Sequence, residues 1–328
     1  MVTPDDVRAA YRLILGREPE NEALPESLAK DFEELSQLRR VFLNSDEFRR
    51  MEDLPPVLPP PVIAQTLPLD APPLAVEVLA ARPDLERMMA RVAAFRTRLG
   101  EEAPHWSILT VDRFRPERIE AERGTFYATG KDDLTTLRGV LARIGLAPAD
   151  LPRVVEYGCG AGRVTLHLAR SFGEVTTCDL SRPHLDVAEQ YLGEQGLTNL
   201  RYHHVTPEAL IPRGSFDLFF SVLTLQHNPP PVIHAILEAA LEQLSPGGVA
   251  VFQLPAHMKD YRFTVAEYLG QPGAGLEMHC MPQREVFALA EHCGCKPMDV
   301  RENTRSFTQD PLNNLSMLYA FRKPAIRG

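Results

Sequence analysis

The sequence is poor in cysteine and has no long apolar run, and both absences exclude whole classes of protein. Its five cysteines, irregularly spaced among 328 residues, do not form the even set that staples a small secreted domain. No stretch reaches the ~20 apolar residues that a membrane-spanning helix needs, and the acidic N-terminus lacks the basic and apolar blocks of a secretory signal. We therefore expect reduced thiols, no membrane span and a cytoplasmic location.

Clustered positive charge and metal-ligand spacings are scarce as well. The chain carries 35 Lys and Arg against 44 Asp and Glu, for a net charge of -9, and its basic residues are scattered. Nucleic-acid binding depends on clustered positive charge, so we expect no nucleic-acid partner. His203 and His204 would point to opposite faces of a strand, and the His292, Cys293 and Cys295 group supplies only half of a usual zinc spacing. No metal site is predicted.

Prolines divide the chain into two parts. They crowd residues 54–80, where each one removes a backbone donor and fixes φ, so neither a helix nor a central strand continues through this segment. We interpret it as a linker. Helix-period apolar positions before it predict a small all-α accessory domain over residues 1–53. After it, residues 81–328 are predicted to form a second domain, with a helical lead-in over 81–150 and a core over 151–328.

From residue 153 onward, short β-rich runs alternate with amphipathic helical patterns, which is typical of a doubly wound α/β sheet. Helices are expected after the first, second and fourth of these strands. The predicted strands lie at 153–157, 174–179, 200–205, 216–222 and 248–254. A helix predicted over 282–293 precedes two more strands, 298–303 and 314–323. Because no helix joins these last two strands, they must run antiparallel.

A glycine turn is the strongest motif. An apolar strand ends at Tyr157, and the turn Gly158-Cys159-Gly160-Ala161-Gly162 then opens a helix. Glycines allow positive φ and carry no Cβ, so a ligand can lie directly against the backbone at a helix N-terminus. Asp179 follows Gly158 by 21 positions, at the end of the next strand, where an acidic side chain reaches ribose hydroxyls. A nicotinamide site favours a third glycine at the position that Arg163 occupies here.

These motifs resemble the class I S-adenosylmethionine-dependent methyltransferases over residues of about 125–323. The resemblance implies an α/β fold with a Rossmann-like seven-stranded sheet and an antiparallel last strand, and it implies S-adenosylmethionine as the cofactor. Thr206 stands where many relatives carry Asp toward the adenine, and GTFYATGKDDL resembles a segment that caps the cofactor. The cofactor contacts that it implies are Glu156, Gly158, Cys159, Gly160, Gly162, Arg163, Asp179, Leu180, Thr206, Tyr127, Gly130 and Gln226.

Two histidines are candidates for catalysis. Methyl transfer to a hydroxyl oxygen requires removal of a proton, and histidine suits that task near neutral pH. His227 follows the fourth strand, at the edge of the sheet where ligands bind in such folds, and Gln226 beside it is a candidate orienting group. His279 precedes the last helix, in a region that often lines acceptor pockets in the family. The alternative for His227 is a structural hydrogen bond at a helix start.

Residues 12–51 resemble the helical phycobilisome-linker-like modules attached to bacterial glycan-assembly enzymes, through LILGREPE and FLNSDEFRR. This resemblance implies a protein or glycan partner for the first domain. Together the two resemblances imply O-methylation of a small molecule or of a sugar or glycan hydroxyl. Two alternatives stay open: a scaffold that binds S-adenosylmethionine without turnover, and a nicotinamide-dependent oxidoreductase.

Overall fold

A computed structural model describes residues 2–49, 73–273, 275–303 and 314–325. The chain separates into two compact units, Met1–Gln65 and Thr66–Gly328. Of the linker predicted over 54–80, residues 54–72 lie outside the described residues.

The first unit is helical. Thr3 caps its first helix, and the Thr3 and Asp6 side chains each accept a hydrogen bond from the other's backbone amide. Tyr11 and Phe42 meet edge to face, with ring centroids 5.0 Å apart, inside a small apolar core. The predicted helical unit is therefore present, whereas its likeness to linker modules stays a prediction. Its helices are α1 (Pro4–Ile14), α2 (Ala23–Leu28), α3 (Leu35–Leu43) and α4 (Asp46–Arg49).

The described residues of the second unit form a seven-stranded sheet. Its strands are β1 (Arg153–Tyr157), β2 (Glu174–Asp179), β3 (Leu200–His204), β4 (Phe216–Ser221), β5 (Leu244–Met258), β6 (Lys296–Glu302) and β7 (Asn314–Arg322). The spatial order is β3-β2-β1-β4-β5-β7-β6, and β7 runs antiparallel to both β5 and β6. The predicted Rossmann-like sheet with a reversed last strand is confirmed. β5 is longer than predicted because Leu244 already pairs with Phe216, and the far end pairs with β7.

Helices cover this sheet. α8, α9 and α10 follow β1, β2 and β4, as predicted. The helices of the second unit are α5 (Arg82–Glu102), α6 (Ile119–Ala128), α7 (Gly130–Arg143), α8 (Thr165–Ala169), α9 (Arg182–Glu194), α10 (Pro230–Gln243), α11 (Val265–Gly270) and α12 (Gln283–His292).

Both faces of the central strands β1, β4 and β5 are buried, as apolar parallel strands require. Neighbouring side chains of β4 enter different apolar clusters: Phe219 joins residues of α10 and α12, and Phe220 joins residues of α7 and α8. The sheet is a middle layer between helices, and the carboxyl ends of its parallel strands form the edge where ligands bind in such folds.

None of the described helices combines the length and the apolar character that crossing a membrane requires. Within the same described ranges, no three His, Cys, Asp or Glu side chains converge as a metal site.

Candidate functional site

A cleft lies at the carboxyl ends of β1, β2 and β4. It contains about 930 Å³ of space between protein atoms, part of it open to solvent. The residues predicted from the sequence that line it are Glu156, Gly158, Cys159, Gly160, Arg163, Asp179, Leu180 and His227. Strand ends that are distant in sequence thus bring the two motifs together at one site.

The glycine turn is closely packed. Gly158 has a φ of +80°, and a Cβ at this position would collide with the side chain of Thr224. The Thr224 hydroxyl donates to the carbonyl oxygen of Gly158 at 3.2 Å. Gly162 has a φ of +83°, and a Cβ there would lie 2.8 Å from Leu192 of α9. Gly162 therefore lets the turn approach α9, and it does not line the cleft.

Asp179 joins the glycine turn to the end of β2. Its Oδ2 accepts from the amide of Gly160 at 2.8 Å, and its Oδ1 accepts from the amide of Ser181 at 2.8 Å. Each carboxylate oxygen has a second lone pair for a ligand hydroxyl. Asp179 and Leu180 line the cleft together, so the carboxylate fits the ribose contact that the sequence predicts.

Glu156 places a buried carboxyl group at the cleft. Its Oε2 accepts from the hydroxyls of Thr165 at 2.5 Å and Thr177 at 3.2 Å. Burial raises the pKa of Glu156 from 4.5 to about 7, and the two hydroxyl donors act against that shift. The group is thus close to half-protonated at neutral pH, and a cationic ligand would favour its charged form.

Arg163 forms a buried ion pair with Asp133 of α7, at 2.7 Å. Arg163 lines the cleft, and its buried Nε has no hydrogen-bond acceptor among the described residues, so it is a candidate donor to a polar ligand or water. Tyr127 and Gly130, predicted as cofactor contacts, lie behind the turn. The Tyr127 hydroxyl donates to the carbonyl of Ala161 at 3.0 Å, and Gly130 allows close approach to the backbone of Arg163.

The backbone just past β4 is strained. Leu223 lines the cleft with a φ of +56°, which is uncommon for a residue with a side chain. Its amide donates to Oε1 of Gln253 at 2.9 Å, and Nε2 of Gln253 donates to Oε1 of Gln226 at 3.2 Å. Gln226 thus supports Leu223 through Gln253 and does not itself line the cleft. No local sequence signal marks Leu223.

His227 presents one ring nitrogen as an acceptor. Its Nδ1 lies 3.0 Å from the carbonyl oxygen of Glu277, which only accepts, so the proton resides on Nδ1 and Nε2 carries a lone pair. The Gln226 side-chain amide is a long donor to this Nε2, at 3.4 Å. Burial lowers the pKa of His227 to about 3, and the Arg96 guanidinium acts in the same direction. The imidazole is therefore neutral across the working pH range, and it lines the cleft.

His279 and Thr206 lie elsewhere. His279 Nδ1 is 2.9 Å from the Tyr261 hydroxyl, its Nε2 is 3.5 Å from a carboxylate oxygen of Glu277, and burial lowers its pKa. It lines a separate cavity with Arg91. Thr206 pairs with Ala209 in a turn after β3, and the described lining of the cleft does not include it. Their predicted roles stay predictions.

The sequence reasoning missed the residues that cover the cleft from α5 and from the segment after it. Ser107 and Ser181 hydroxyls lie 2.8 and 2.7 Å from the two ring nitrogens of His184. The Ser181 hydroxyl also donates to the backbone carbonyl of Arg96 at 3.2 Å. This network holds Arg96, Ser107 and Ile108 against the cleft, where all three are lining residues. Only tertiary packing brings them there.

Comparisons with known proteins match this part of the chain. Residues 154–248 match a family model described as a methyltransferase domain. A ubiquinone biosynthesis O-methyltransferase of Psychrobacter cryohalolentis is 35% identical over 134 residues, 39% of this chain and 50% of that protein. A protein of the same name from Paracidovorax citrulli is 31% identical over 174 residues, 51% of this chain and 71% of that protein.

The chain thus spans half the length of the first of these relatives. Among solved structures, the magnesium protoporphyrin IX methyltransferase of Synechocystis PCC 6803 with bound SAH is 16% identical, with a TM-score of 0.48. That alignment covers 72% of this chain and 99% of the other chain.

Proposed function

This chain belongs to the class I S-adenosylmethionine-dependent methyltransferase family, and we propose that it transfers a methyl group to a hydroxyl oxygen of a small molecule. The match to the methyltransferase domain and the Paracidovorax relative carry the membership. S-adenosylmethionine is accordingly the cofactor. The neutral His227 at the cleft, whose Nε2 carries a lone pair that the Gln226 amide approaches only at 3.4 Å, is the observation that carries the hydroxyl acceptor.

The cleft residues suit the donor's chemistry. S-adenosylmethionine, when bound, supplies a methyl carbon whose bond to a sulfonium sulfur breaks as the acceptor oxygen bonds to it. Asp179 offers lone pairs to the ribose hydroxyls, and Glu156 offers a negative charge near a cationic ligand. The Nε donor of Arg163 remains for a polar group of the ligand.

His227 takes the proton in this proposal. The Glu277 carbonyl holds its ring orientation, so Nε2 is the nitrogen that accepts the proton of the acceptor hydroxyl. Because the pKa of His227 is low, about 3, proton transfer is easier from an acidic hydroxyl. A phenolic hydroxyl, whose pKa is about 10, fits this base better than a sugar hydroxyl does.

The names of the relatives support the same choice. Both are called O-methyltransferases of ubiquinone biosynthesis, and they give no support to a glycan acceptor. Only the N-terminal resemblance supports a sugar or glycan hydroxyl as the acceptor. The same resemblance alone supports a protein or glycan partner for the helical unit. We therefore place a small-molecule phenol first.

Calorimetry and a transfer assay test this proposal. S-adenosylmethionine and S-adenosylhomocysteine are titrated into the full chain, and tritiated methyl transfer is measured on a panel of phenols, sugars and cell extracts. We expect binding of both nucleosides and transfer to phenols. Tight binding without transfer to any fraction would favour the scaffold alternative, and a response to NADH alone would favour the oxidoreductase.

His227→Gln is the matched variant, because an amide can keep the bond to the Glu277 carbonyl but cannot act as a base. Turnover should fall by roughly 10²- to 10⁴-fold while the donor Kd stays within about twofold. His292→Gln, at an exposed position at the end of α12, is the control and should leave turnover unchanged. Wild-type turnover in His227→Gln would remove the base from the proposal.

A further inference from the structure

A second cavity lies beside the cleft. Val92, Arg96 and His227 line both spaces, so these three side chains form a common wall. The remaining surface of the second cavity is largely apolar and aromatic, with additional arginines. Its other charged, aromatic and large apolar lining residues are Arg91, Phe95, Arg98, Tyr268, Leu276 and Glu277.

Arg91 is fully engaged in holding this cavity together. Its guanidinium donates to the carbonyls of Tyr268 at 2.6 Å and Gln271 at 2.9 Å, and it pairs with the Glu277 carboxylate at 2.8 Å. It also lies over the Tyr268 ring, 4.1 Å from the centroid. Arg91 is therefore a structural cation whose charge Glu277 balances.

Arg96 differs from it. Its guanidinium makes no hydrogen bond or ion pair with any residue in the described ranges, although it lines both cavities. Burial lowers its pKa, and the opposite charge that acts on it is that of Asp179. Both Asp179 oxygens already accept backbone amides. Arg96 is only partly buried, and a guanidinium that lines two cavities without an acceptor of its own has all its donors available to an anionic ligand.

The position of Arg96 indicates which ligand supplies the anion. Arg163 lines only the cleft, whereas Arg96 also faces the second cavity, next to His227. Phe95 and Leu276 offer apolar surface in that cavity. The chain's net charge is -9, so an excess of arginine here is a local feature.

Resting on the proposed function, we infer that Arg96 binds an anionic group of the acceptor, and that the acceptor is a hydroxylated aromatic acid. The acid group lies at Arg96, the hydroxyl lies at His227, and the ring packs in the second cavity. The positive charge of Arg96 opposes protonation of His227. An anionic group of the acceptor bound at Arg96 offsets that charge, so it helps His227 to take the proton of the acceptor hydroxyl.

A matched pair of probes isolates the charge: 3,4-dihydroxybenzoate and its neutral methyl ester. Each is titrated by calorimetry into the full chain saturated with S-adenosylhomocysteine, and each is offered as acceptor with tritiated S-adenosylmethionine. The variants are Arg96→Gln, Arg96→Lys as the conservative change, and Arg118→Gln as a control at an exposed arginine that lines neither cavity. Binding is read separately from transfer, so this test stands even if no methyl group moves.

Wild type should bind the acid at least tenfold more tightly than the ester. Arg96→Gln should abolish that preference, Arg96→Lys should keep part of it, and Arg118→Gln should leave it within twofold. The S-adenosylhomocysteine Kd should stay within twofold in all three variants. Absence of an Arg96-dependent preference for the acid, including failure of wild type to bind it, would overturn the inference.

The donor's own carboxylate is the other source of an anion. Methylthioadenosine lacks that carboxylate, so it separates the two sources. If Arg96→Gln weakened S-adenosylhomocysteine tenfold or more and left methylthioadenosine unchanged, Arg96 would hold the donor, and the inference about the acceptor would be overturned.

Discussion

Replacement of Glu156 by glutamine changes one buried carboxyl group and keeps its shape and an acceptor oxygen. Burial raises the pKa of Glu156 from 4.5 to about 7 in the folded protein. At about 1.4 kcal/mol per pKa unit, ionising this group in place costs roughly 3 kcal/mol. Glutamine has no such proton to lose, so the variant avoids this cost while its amide oxygen still accepts from Thr165 and Thr177.

The benefit depends on pH in a defined direction. A raised carboxyl pKa contributes stability that is fully present below 4.5 and is lost as the pH rises through about 7. The free energy of unfolding of Glu156→Gln, compared with that of wild type at the same pH, should therefore increase as the pH rises. The gain should be about 2 kcal/mol between about pH 5.5 and about pH 8. Urea unfolding followed by circular dichroism at the two pH values measures it.

Glu302→Gln is the control, since it makes the same chemical change at an exposed position of β6. Its stability relative to wild type should not depend on pH. Wild-type affinity for S-adenosylmethionine should rise with pH through neutrality, because only the ionised carboxylate attracts a cation, and Glu156→Gln should lose that rise. Equal destabilisation of Glu156→Gln at both pH values would refute the reasoning, because it would mean that Glu156 is charged throughout.

Three further outcomes are expected. Asp179→Ala should weaken S-adenosylhomocysteine at least tenfold by calorimetry, and unchanged affinity in a folded variant would contradict the ribose contact. Gly162→Ala should lower the free energy of unfolding by more than Gly196→Ala. Both glycines have positive φ, so each substitution carries a backbone cost of roughly 1–2 kcal/mol. Only Gly162 of the two has a close neighbour, Leu192, so a clash adds to that cost at Gly162, and equal losses in the two variants would argue against the clash. Burial raises the pKa of Cys159 well above its usual value, so iodoacetamide should not label it in the folded protein, as mass spectrometry would reveal.

Local patterns account for the parts of the fold that were predicted correctly and for the predicted residues that meet at the cleft. β1 and β2 begin and end where their apolar runs and flanking residues predict, and the glycine turn and Asp179 meet as the βαβ rule requires. Glu156 and Leu180, which were named from chain neighbours within one motif, therefore line the cleft, while their contacts to the cofactor stay predictions. The same rule predicted the antiparallel last strand from the absence of a crossover helix.

Tertiary packing accounts for the rest. Arg96 lies on a helix 62 positions before Gly158 in sequence, and no periodicity marks which face of that helix covers the cleft. Tyr127 lies in the segment identified by resemblance, but its ring stacks on Tyr191 at 3.5 Å, and the described lining of the cleft does not include it. The positive φ of Leu223 depends on Gln253, which comes from β5.

The wall that the cleft and the second cavity share has a thermodynamic consequence. Whichever ligand first immobilises Val92 and Arg96 removes part of the entropy cost that the other must meet. Reciprocity then requires that each ligand tighten the other by the same factor. An enzyme built this way selects its donor and its acceptor together. The affinity measured for either ligand alone is therefore weaker than its affinity when the other ligand is already bound.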